Sequence, residues 1–353
     1  MLNGGNHIGE APMKKILLIA TGGTIASKST QDGLSPRISP EELLSYVPET
    51  EKICKIEAVQ PFNLDSTNVR QEHWLQLEEV IEENYSRYDG FVVCHGTDTM
   101  AYTSAALSYL IQNNRKPVVV TGAQRPIDLA ITDARANLLD SIRFACDDRA
   151  HGVNIVFGGA AISGTRAKKE RTKSFNAFSS INYPAIAIIQ DKRIVFYIDD
   201  KELLSEPEKF YHEMDSRVFL LKLIPGSDGK VLENLIDAYD AVIIESFGVG
   251  GIPTYGDDCF QEQIRRFVDA GKLIVMATQV THEGSDMSVY RVGQIVKNTY
   301  RLPESYDMTL ESTIAKTMWI LGQSRDPEKF RDLFYQTINH DMLFSPMDGE
   351  YSE

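Results

Sequence analysis

The 353-residue sequence has few cysteines, an excess of acidic over basic residues and no long apolar run. The four cysteines are Cys54, Cys94, Cys146 and Cys259. They form no CxxC pair, which is typical of reduced thiols in a cytoplasmic protein. Lysine and arginine number 36 against 50 aspartates and glutamates, a formal charge of −14, which argues against nucleic-acid and membrane partners. No stretch reaches the roughly 20 apolar residues of a membrane helix, and residues 1–12 do not resemble a secretion signal. We therefore expect a soluble cytoplasmic protein.

Several signatures of metal, phosphate and nucleophile sites are also missing. The seven histidines show neither HxH nor HExxH spacing, so the sequence predicts no protein-bound metal. The segment TGGTIAS (21–27) lacks the lysine of a phosphate loop, and no GxGxxG motif occurs in a nucleotide-binding context. There is no GxSxG turn and no cysteine–histidine signature. We therefore expect neither a metal nor a cofactor.

The chain does contain a regular alternation of apolar strands and amphipathic helices. Strands are expected from Met13 and at 90–95, 116–122, 153–157, 218–226, 241–248 and 272–279. Helices are expected at 40–47, 71–87, 100–112, 132–146, 228–239, 258–270 and from about Thr309. Buried strands that alternate with helices predict an α/β fold with parallel sheets covered on both faces.

The charged segment 199–216 separates two such series and predicts an interdomain linker. Residues 1–12 are expected to be an extension. The N-terminal domain, 13–198, is the larger one, with a mostly parallel sheet flanked by helices and the candidate catalytic residues. Residues 217–353 form a smaller parallel α/β domain. Two domains also agree with the length of the chain.

Two hydroxyl-bearing turns follow two of the predicted strands: Thr21-Gly22-Gly23-Thr24 and Gly96-Thr97-Asp98-Thr99. Each turn alone is typical of a glycine turn or a helix cap. Ligands of parallel sheets bind at the carboxyl ends of strands, so together the turns indicate a site. Asp65-Ser66-Thr67 alone is a turn signal. Lys173 alone is typical of a solvated charge, although a lysine buried beside a hydroxyl can act as a base.

Four segments resemble the bacterial L-asparaginases of the cytoplasmic type I branch. They are TGGTIAS (21–27), HGTDTM with the following AYTSAALS (95–108), VTGAQRP (120–126) and the pair Thr172-Lys173. The resemblance covers nearly the whole chain from Met13. It implies an amidohydrolase of asparagine catabolism that converts L-asparagine to L-aspartate and ammonia, without metal or cofactor. It also implies a homodimer or homotetramer.

The resemblance further implies a role for individual residues. Thr24 would be the nucleophile that forms an acyl-enzyme. Thr97, Asp98 and Lys173 would move protons and position the hydrolytic water. The substrate would be bound by Gly23, Asp65, Ser66, Thr67, Gly96, Thr97, Asp98 and Ala123. In this scheme Asp98 holds the α-ammonium, Ser66 and Thr67 hold the α-carboxylate, and the main chain at Thr97 and Ala123 polarises the amide.

Besides the extension 1–12, which precedes the family's usual start, the sequence departs from the family at two places. Leu34 stands where the family carries a lid tyrosine that contacts the nucleophile, which leaves the activation of Thr24 open. Glu245 and Val280 stand where some type I enzymes have the arginine and cysteine of an allosteric site, so we expect hyperbolic kinetics.

Three alternatives remain. The first is a mixed asparaginase and glutaminase, because one methylene is worth only about 1–3 kcal/mol of discrimination. The second is a component of an amidotransferase that acts on aminoacyl-tRNA, disfavoured by the charge and by the twelve residues before Met13. The third is an amino-acid sensor that has lost catalysis.

Overall fold

The computed structural model describes residues 13–30, 33–253, 260–289 and 291–344. The extension 1–12 and Cys259 lie outside the described residues. The strands, in chain order, are β1 (Lys15–Ala20), β2 (Ser27–Thr30), β3 (Gly33–Pro36), β4 (Lys55–Val59), β5 (Gly90–Cys94), β6 (Ile111–Gln112), β7 (Val118–Thr121), β8 (Val153–Phe157), β9 (Ala160–Ser163), β10 (Ala167–Lys169), β11 (Phe178–Ser180), β12 (Ala187–Gln190), β13 (Arg193–Phe196), β14 (Lys209–Phe210), β15 (Val218–Lys222), β16 (Ala241–Ser246) and β17 (Leu273–Thr278). The helices are α1 (Pro40–Ser45), α2 (Gln71–Asn84), α3 (Met100–Leu110), α4 (Ala134–Ala145), α5 (Phe260–Asp269), α6 (Arg291–Tyr300), α7 (Leu310–Gln323) and α8 (Pro327–Tyr335).

The N-terminal part is built on an eight-stranded sheet of order β13-β12-β9-β8-β7-β5-β1-β4. Strands β8, β7, β5, β1 and β4 run parallel. Strands β9, β12 and β13 are added in antiparallel pairs. The central strands β5, β7 and β8 are buried at every residue, as expected for a sheet covered on both faces.

The C-terminal part contains a parallel three-stranded sheet of order β15-β16-β17, packed on α5. The expected two-domain α/β fold is therefore confirmed. One expected helix, 228–239, is wrong in type, because Gly229–Leu235 forms a 3-10 helix. Gly229 lies so close to α5 that an added Cβ would be 3.1 Å from the Cα of Phe260. This tertiary packing, which no local pattern reveals, accompanies the tighter helix.

The two parts share one apolar core and a buried polar contact. Helix α7 packs against α3, and their apolar side chains belong to the same cluster. Beneath them, the ammonium of Lys316 lies 2.6 Å from the carboxylate of Asp341, and both side chains are fully buried. The same carboxylate accepts a 3.0 Å hydrogen bond from the hydroxyl of Tyr109 on α3. Buried charges are stable only when paired in this way, so the contact holds α7 against α3.

Among the helices that the structure describes, none has both the length and the apolar character needed to cross a bilayer.

Candidate active site

The two glycine turns meet at the carboxyl ends of β1 and β5, which are neighbours in the sheet. Gly22 and Gly23 have φ angles of 101° and 74°, a left-handed conformation that favours glycine. A Cβ added to Gly23 would lie 2.4 Å from the backbone nitrogen of Gly96. The turns are thus in direct backbone contact, which brings half-buried Thr24 and buried Thr97, each the next residue along, to the same edge of the sheet.

The segment 65–67 packs against the second turn. A Cβ on Gly96 would lie 2.6 Å from the hydroxyl oxygen of Ser66, which is itself buried. The Thr99 hydroxyl donates a 2.8 Å hydrogen bond to the carbonyl of Ser66. One oxygen of Asp65 accepts from both the backbone N–H and the hydroxyl of Thr67, at 2.9 and 2.8 Å. The structure therefore brings the third predicted segment to the site.

The lysine beside Thr97 is Lys169. Its ammonium donates to the Thr97 hydroxyl at 2.8 Å and to the Asp98 carboxylate at 2.6 Å. The Lys169 side chain is only 15% exposed. Lys173 is instead exposed, in the loop between β10 and β11. The sequence-based choice of Lys173 is therefore corrected: the lysine in contact with the two predicted residues is four positions earlier.

Strand alternation accounts for the position of Lys169, but the sequence analysis predicted no strand at β10. In β10, Ala167 and Lys169 are two residues apart and so point to the same face, and Ala167 is buried. The Thr172-Lys173 pair was chosen for its resemblance to the family sequence, but it lies beyond the end of β10. Lys173 lies in the loop between β10 and β11, where no strand pairing directs its side chain toward the two turns.

Gln124 is a second residue that sequence reasoning missed. Its side-chain oxygen accepts a 3.3 Å hydrogen bond from the Thr97 hydroxyl. Its side-chain nitrogen donates to the carbonyls of Arg171 and Ser174, each at 3.2 Å. It directly follows the predicted Ala123, which is fully buried just beyond β7. Thr97 therefore accepts from an ammonium and donates to an amide, so its hydroxyl is fixed in orientation.

His95, which lies between β5 and the second turn, has a structural role. Burial lowers the pKa of this fully buried imidazole to about 4, so the ring is neutral. Its Nδ1 lies 2.7 Å from the carbonyl of Gly96, which can only accept, so Nδ1 carries the proton. Nε2 must then accept the 3.0 Å hydrogen bond from the Thr103 hydroxyl. These two hydrogen bonds, through the His95 ring, stabilise the backbone of the second turn at Gly96.

Leu34, at the position of the family's lid tyrosine, lies in β3 and pairs with Ser29 in β2. Val280 is exposed, whereas Glu245 is buried and lies 3.2 Å from the ammonium of Lys222.

Family models match both halves of the chain. The model described as "Asparaginase, N-terminal" matches residues 15–202, and "Glutaminase/Asparaginase C-terminal domain" matches residues 217–334. The chain is 36% identical to an L-asparaginase of Thermococcus kodakarensis, over 92% of this chain and 98% of that protein. It is 34% identical to one of the subunits of the glutamyl-tRNA(Gln) amidotransferase of Pyrococcus furiosus, over 88% of this chain and 73% of the relative.

Solved structures agree. The thermostable L-asparaginase from Thermococcus kodakarensis superposes with a TM-score of 0.88 at 35% identity, and L-asparaginase I from Vibrio cholerae with 0.84 at 29%. Each covers 94% of this chain and 100% of the solved chain. The fold and its site thus define a two-domain α/β enzyme. The chain belongs to the asparaginase family, and the expectation of an asparaginase-type enzyme is confirmed.

Proposed function

We propose that this protein hydrolyses the side-chain amide of L-asparagine to L-aspartate and ammonia. The observation that carries the proposal is the hydrogen-bonded contact of Lys169 with Thr97 and Asp98, beside the turn that presents Thr24. The similarity to an L-asparaginase over almost the whole chain supports the same activity.

Thr24 is proposed as the nucleophile, because an amide is a poor electrophile and needs an activated hydroxyl. Its oxygen forms a bond to the amide carbon, the proton of its hydroxyl passes to the amide nitrogen, and the carbon–nitrogen bond breaks to release ammonia. Water then attacks the acyl-enzyme, which releases aspartate and restores the hydroxyl.

The second threonine and the lysine are proposed to move protons in both steps. When Lys169 is neutral, its amine can take the proton of the Thr97 hydroxyl, and the carboxylate of Asp98 stabilises the ammonium that forms. Lys169 thus takes the role that the sequence analysis gave to Lys173. The short contacts of Lys169 with both groups support this assignment.

The substrate is proposed to bind through opposite charges at a fixed separation. Asp98 would hold the α-ammonium, and Ser66 and Thr67 would hold the α-carboxylate. Gly23, Asp65, Gly96 and Ala123 would line the site, and main-chain N–H groups at Thr97 and Ala123 would face the developing oxyanion. The packing of residues 65–67 on Gly96 supports this arrangement. Peptide-bound asparagine lacks both charges and would be rejected.

The experiment is ammonia release by the purified protein from free L-asparagine, L-glutamine and an asparagine-containing peptide. We expect turnover of asparagine, less of glutamine and none of the peptide. Thr24→Ala and Thr97→Ala should each lose most of kcat while retaining the wild-type circular dichroism spectrum. Absence of turnover by the wild-type protein, or full turnover by Thr24→Ala, would refute the proposal.

The amidotransferase alternative is favoured by the similarity to the Pyrococcus furiosus protein. The same assay separates the two functions, because an enzyme confined to tRNA-linked substrates releases no ammonia on free asparagine alone. The sensor alternative predicts binding of asparagine without turnover.

We further propose a cytoplasmic type I enzyme of bacterial kind, active as a homodimer or homotetramer, with domains at 13–198 and 217–353 joined by 199–216. The resemblance to the type I branch supports these assignments, as does the similarity to the Vibrio cholerae enzyme. Hyperbolic kinetics are expected, since a buried glutamate stands at position 245.

A further inference from the structure

Two glutamates and a histidine lie together where the linker passes over α2. Glu78 and Glu82 are one turn apart on α2, so they share a face of the helix. His212, from the segment that joins the two sheets, lies over that face. The ligand atoms of all three side chains lie within 4.8 Å of one another. Sequence spacing predicted no such cluster, because the histidine is far from the glutamates along the chain.

Glu78 is the unusual member of the cluster. Its side chain is 2% exposed, and its Oε1 is buried without a hydrogen-bond partner among the described residues. Its other oxygen, Oε2, lies 3.3 Å from the Nδ1 of His212. A buried carboxylate oxygen without a partner costs free energy unless a cation or donor reaches it. Glu79 and Glu82 add negative charge nearby, so the local field favours a cation.

The separations suit a divalent metal. Zinc bonds to imidazole nitrogen and carboxylate oxygen at about 2.0–2.2 Å in a tetrahedral arrangement, which places the ligand atoms about 3.3–3.5 Å apart. The His212 Nδ1 lies 3.3 Å from Glu78 Oε2 and 3.8 Å from Glu82 Oε2. Metal binding would require the exposed Glu82 side chain to rotate toward the other two ligand atoms. The set of one imidazole and two carboxylates favours zinc and similar first-row metals over magnesium or calcium.

The residues that flank His212 hold it in place. Phe210 forms an edge-to-face contact with Tyr85 at the end of α2, with the ring centroids 5.3 Å apart. The Tyr211 ring makes a similar contact with Trp319, and its backbone N–H donates to the carbonyl of Leu110 at 2.9 Å. The imidazole is therefore presented to α2 by an anchored backbone, so little ordering is needed when an ion binds.

We propose that Glu78, Glu82 and His212 form a binding site for Zn²⁺ or a similar divalent transition metal, which fastens the linker to α2. The site is separate from the residues proposed for catalysis. Its ion therefore acts on stability, since a ligand that binds only the folded state stabilises it by mass action.

The test is calorimetric titration of the chelator-treated, full-length protein with Zn²⁺, and in a second series with Mg²⁺. We expect one Zn²⁺ per chain bound at this cluster, a higher melting temperature, and much weaker Mg²⁺ binding. His212→Gln and Glu82→Gln should each weaken Zn²⁺ binding at least about tenfold. Both side chains are exposed, so these variants should fold.

The matched controls are His282→Gln and Glu72→Gln, which make the same chemical changes at exposed positions outside the cluster. They should bind Zn²⁺ as the wild type does. With Co²⁺ as the probe, the visible absorption of a tetrahedral complex should appear in the wild type and vanish in His212→Gln. Failure to bind Zn²⁺, or binding that survives both ligand variants unchanged, would overturn the proposal.

Discussion

The ammonium of Lys169 donates a 2.8 Å hydrogen bond to the hydroxyl of Thr97, a residue 72 positions earlier in the chain. The short antiparallel pair of β10 and β11 carries this lysine over the second turn, and the same pair leaves Lys173 in the exposed loop. Two lysines of one short segment therefore have very different surroundings.

The first prediction uses this difference. Lys169→Met keeps most of the side-chain volume but removes the amine that contacts Thr97. We expect kcat for asparagine to fall by about 10²–10⁴-fold, the usual contribution of a positioned acid–base group. Lys173→Met should keep nearly full activity. Steady-state kinetics of the two variants are the measurement, and equal losses in both would contradict the assignment of Lys169.

The second prediction concerns the contact between the second turn and the segment 65–67. In Gly96→Ala the new methyl group would lie 2.6 Å from the Ser66 hydroxyl oxygen and 2.7 Å from its Cβ, so the turn or the segment must shift. We expect a large loss of kcat/KM and a destabilisation of about 1–3 kcal/mol, typical of overpacking. The control is Gly251→Ala, whose nearest neighbouring atom would be 3.3 Å away. Urea unfolding and asparagine kinetics measure both effects. A fully active Gly96→Ala variant would show that the second turn need not pack this closely on Ser66.

The third prediction is a pH dependence of stability due to His95. Burial lowers its pKa from 6.5 to about 4 in the folded protein. Above pH 6.5 the ring is neutral in both states and contributes nothing. As the pH falls from 6.5 to 4, the unfolded chain binds a proton that the folded protein does not, so stability decreases by up to about 3 kcal/mol.

Urea unfolding at pH 7.5 and pH 4.5 measures this effect. His95→Gln should lose less stability between the two pH values than the wild type does, because it cannot take up the proton. His282→Gln, a change at an exposed histidine, should behave as the wild type. An unchanged pH dependence in His95→Gln would disprove the assignment.

The fourth prediction concerns the fully buried pair of Lys316 and Asp341. Asp341→Ala leaves a buried ammonium without its partner and should destabilise the protein by about 3–5 kcal/mol. The double variant Lys316→Met/Asp341→Leu removes both charges and should recover much of that loss. For comparison, Glu328→Ala breaks an exposed pair with Arg301 and should cost less than about 1 kcal/mol. A double variant no more stable than Asp341→Ala would show that the charge is not the cause.

Local patterns predicted much of this structure. Ser39 and Pro40 indicated the start of a helix, and the Ser39 hydroxyl does accept from the N–H of Glu42 at the start of α1. The apolar strands were also predictable, because a sheet buried on both faces requires continuous apolar runs. The two glycine turns could be placed at one sheet edge from strand order alone.

Contacts between distant segments could not be predicted in this way. The placement of Lys169 depends on the register of β10 with β11, which the sequence does not specify. Cys54 and Cys146 appeared unrelated in sequence, yet a hydrogen bond from Cys146 lowers the pKa of Cys54. The cluster of Glu78 with His212 has the same origin, since only the folded chain brings the linker to α2.

The packing of α7 against α3 determines whether the two halves of the protein can be stable as separate fragments. The C-terminal half covers the face of α3 that points away from its own domain, and Trp319 and its apolar neighbours complete the core there. Either fragment obtained by cutting at the linker would expose the apolar side chains that α3 and α7 bury against each other. Such exposed apolar surface is prone to aggregation. The two halves are therefore expected to melt together, as one cooperative body.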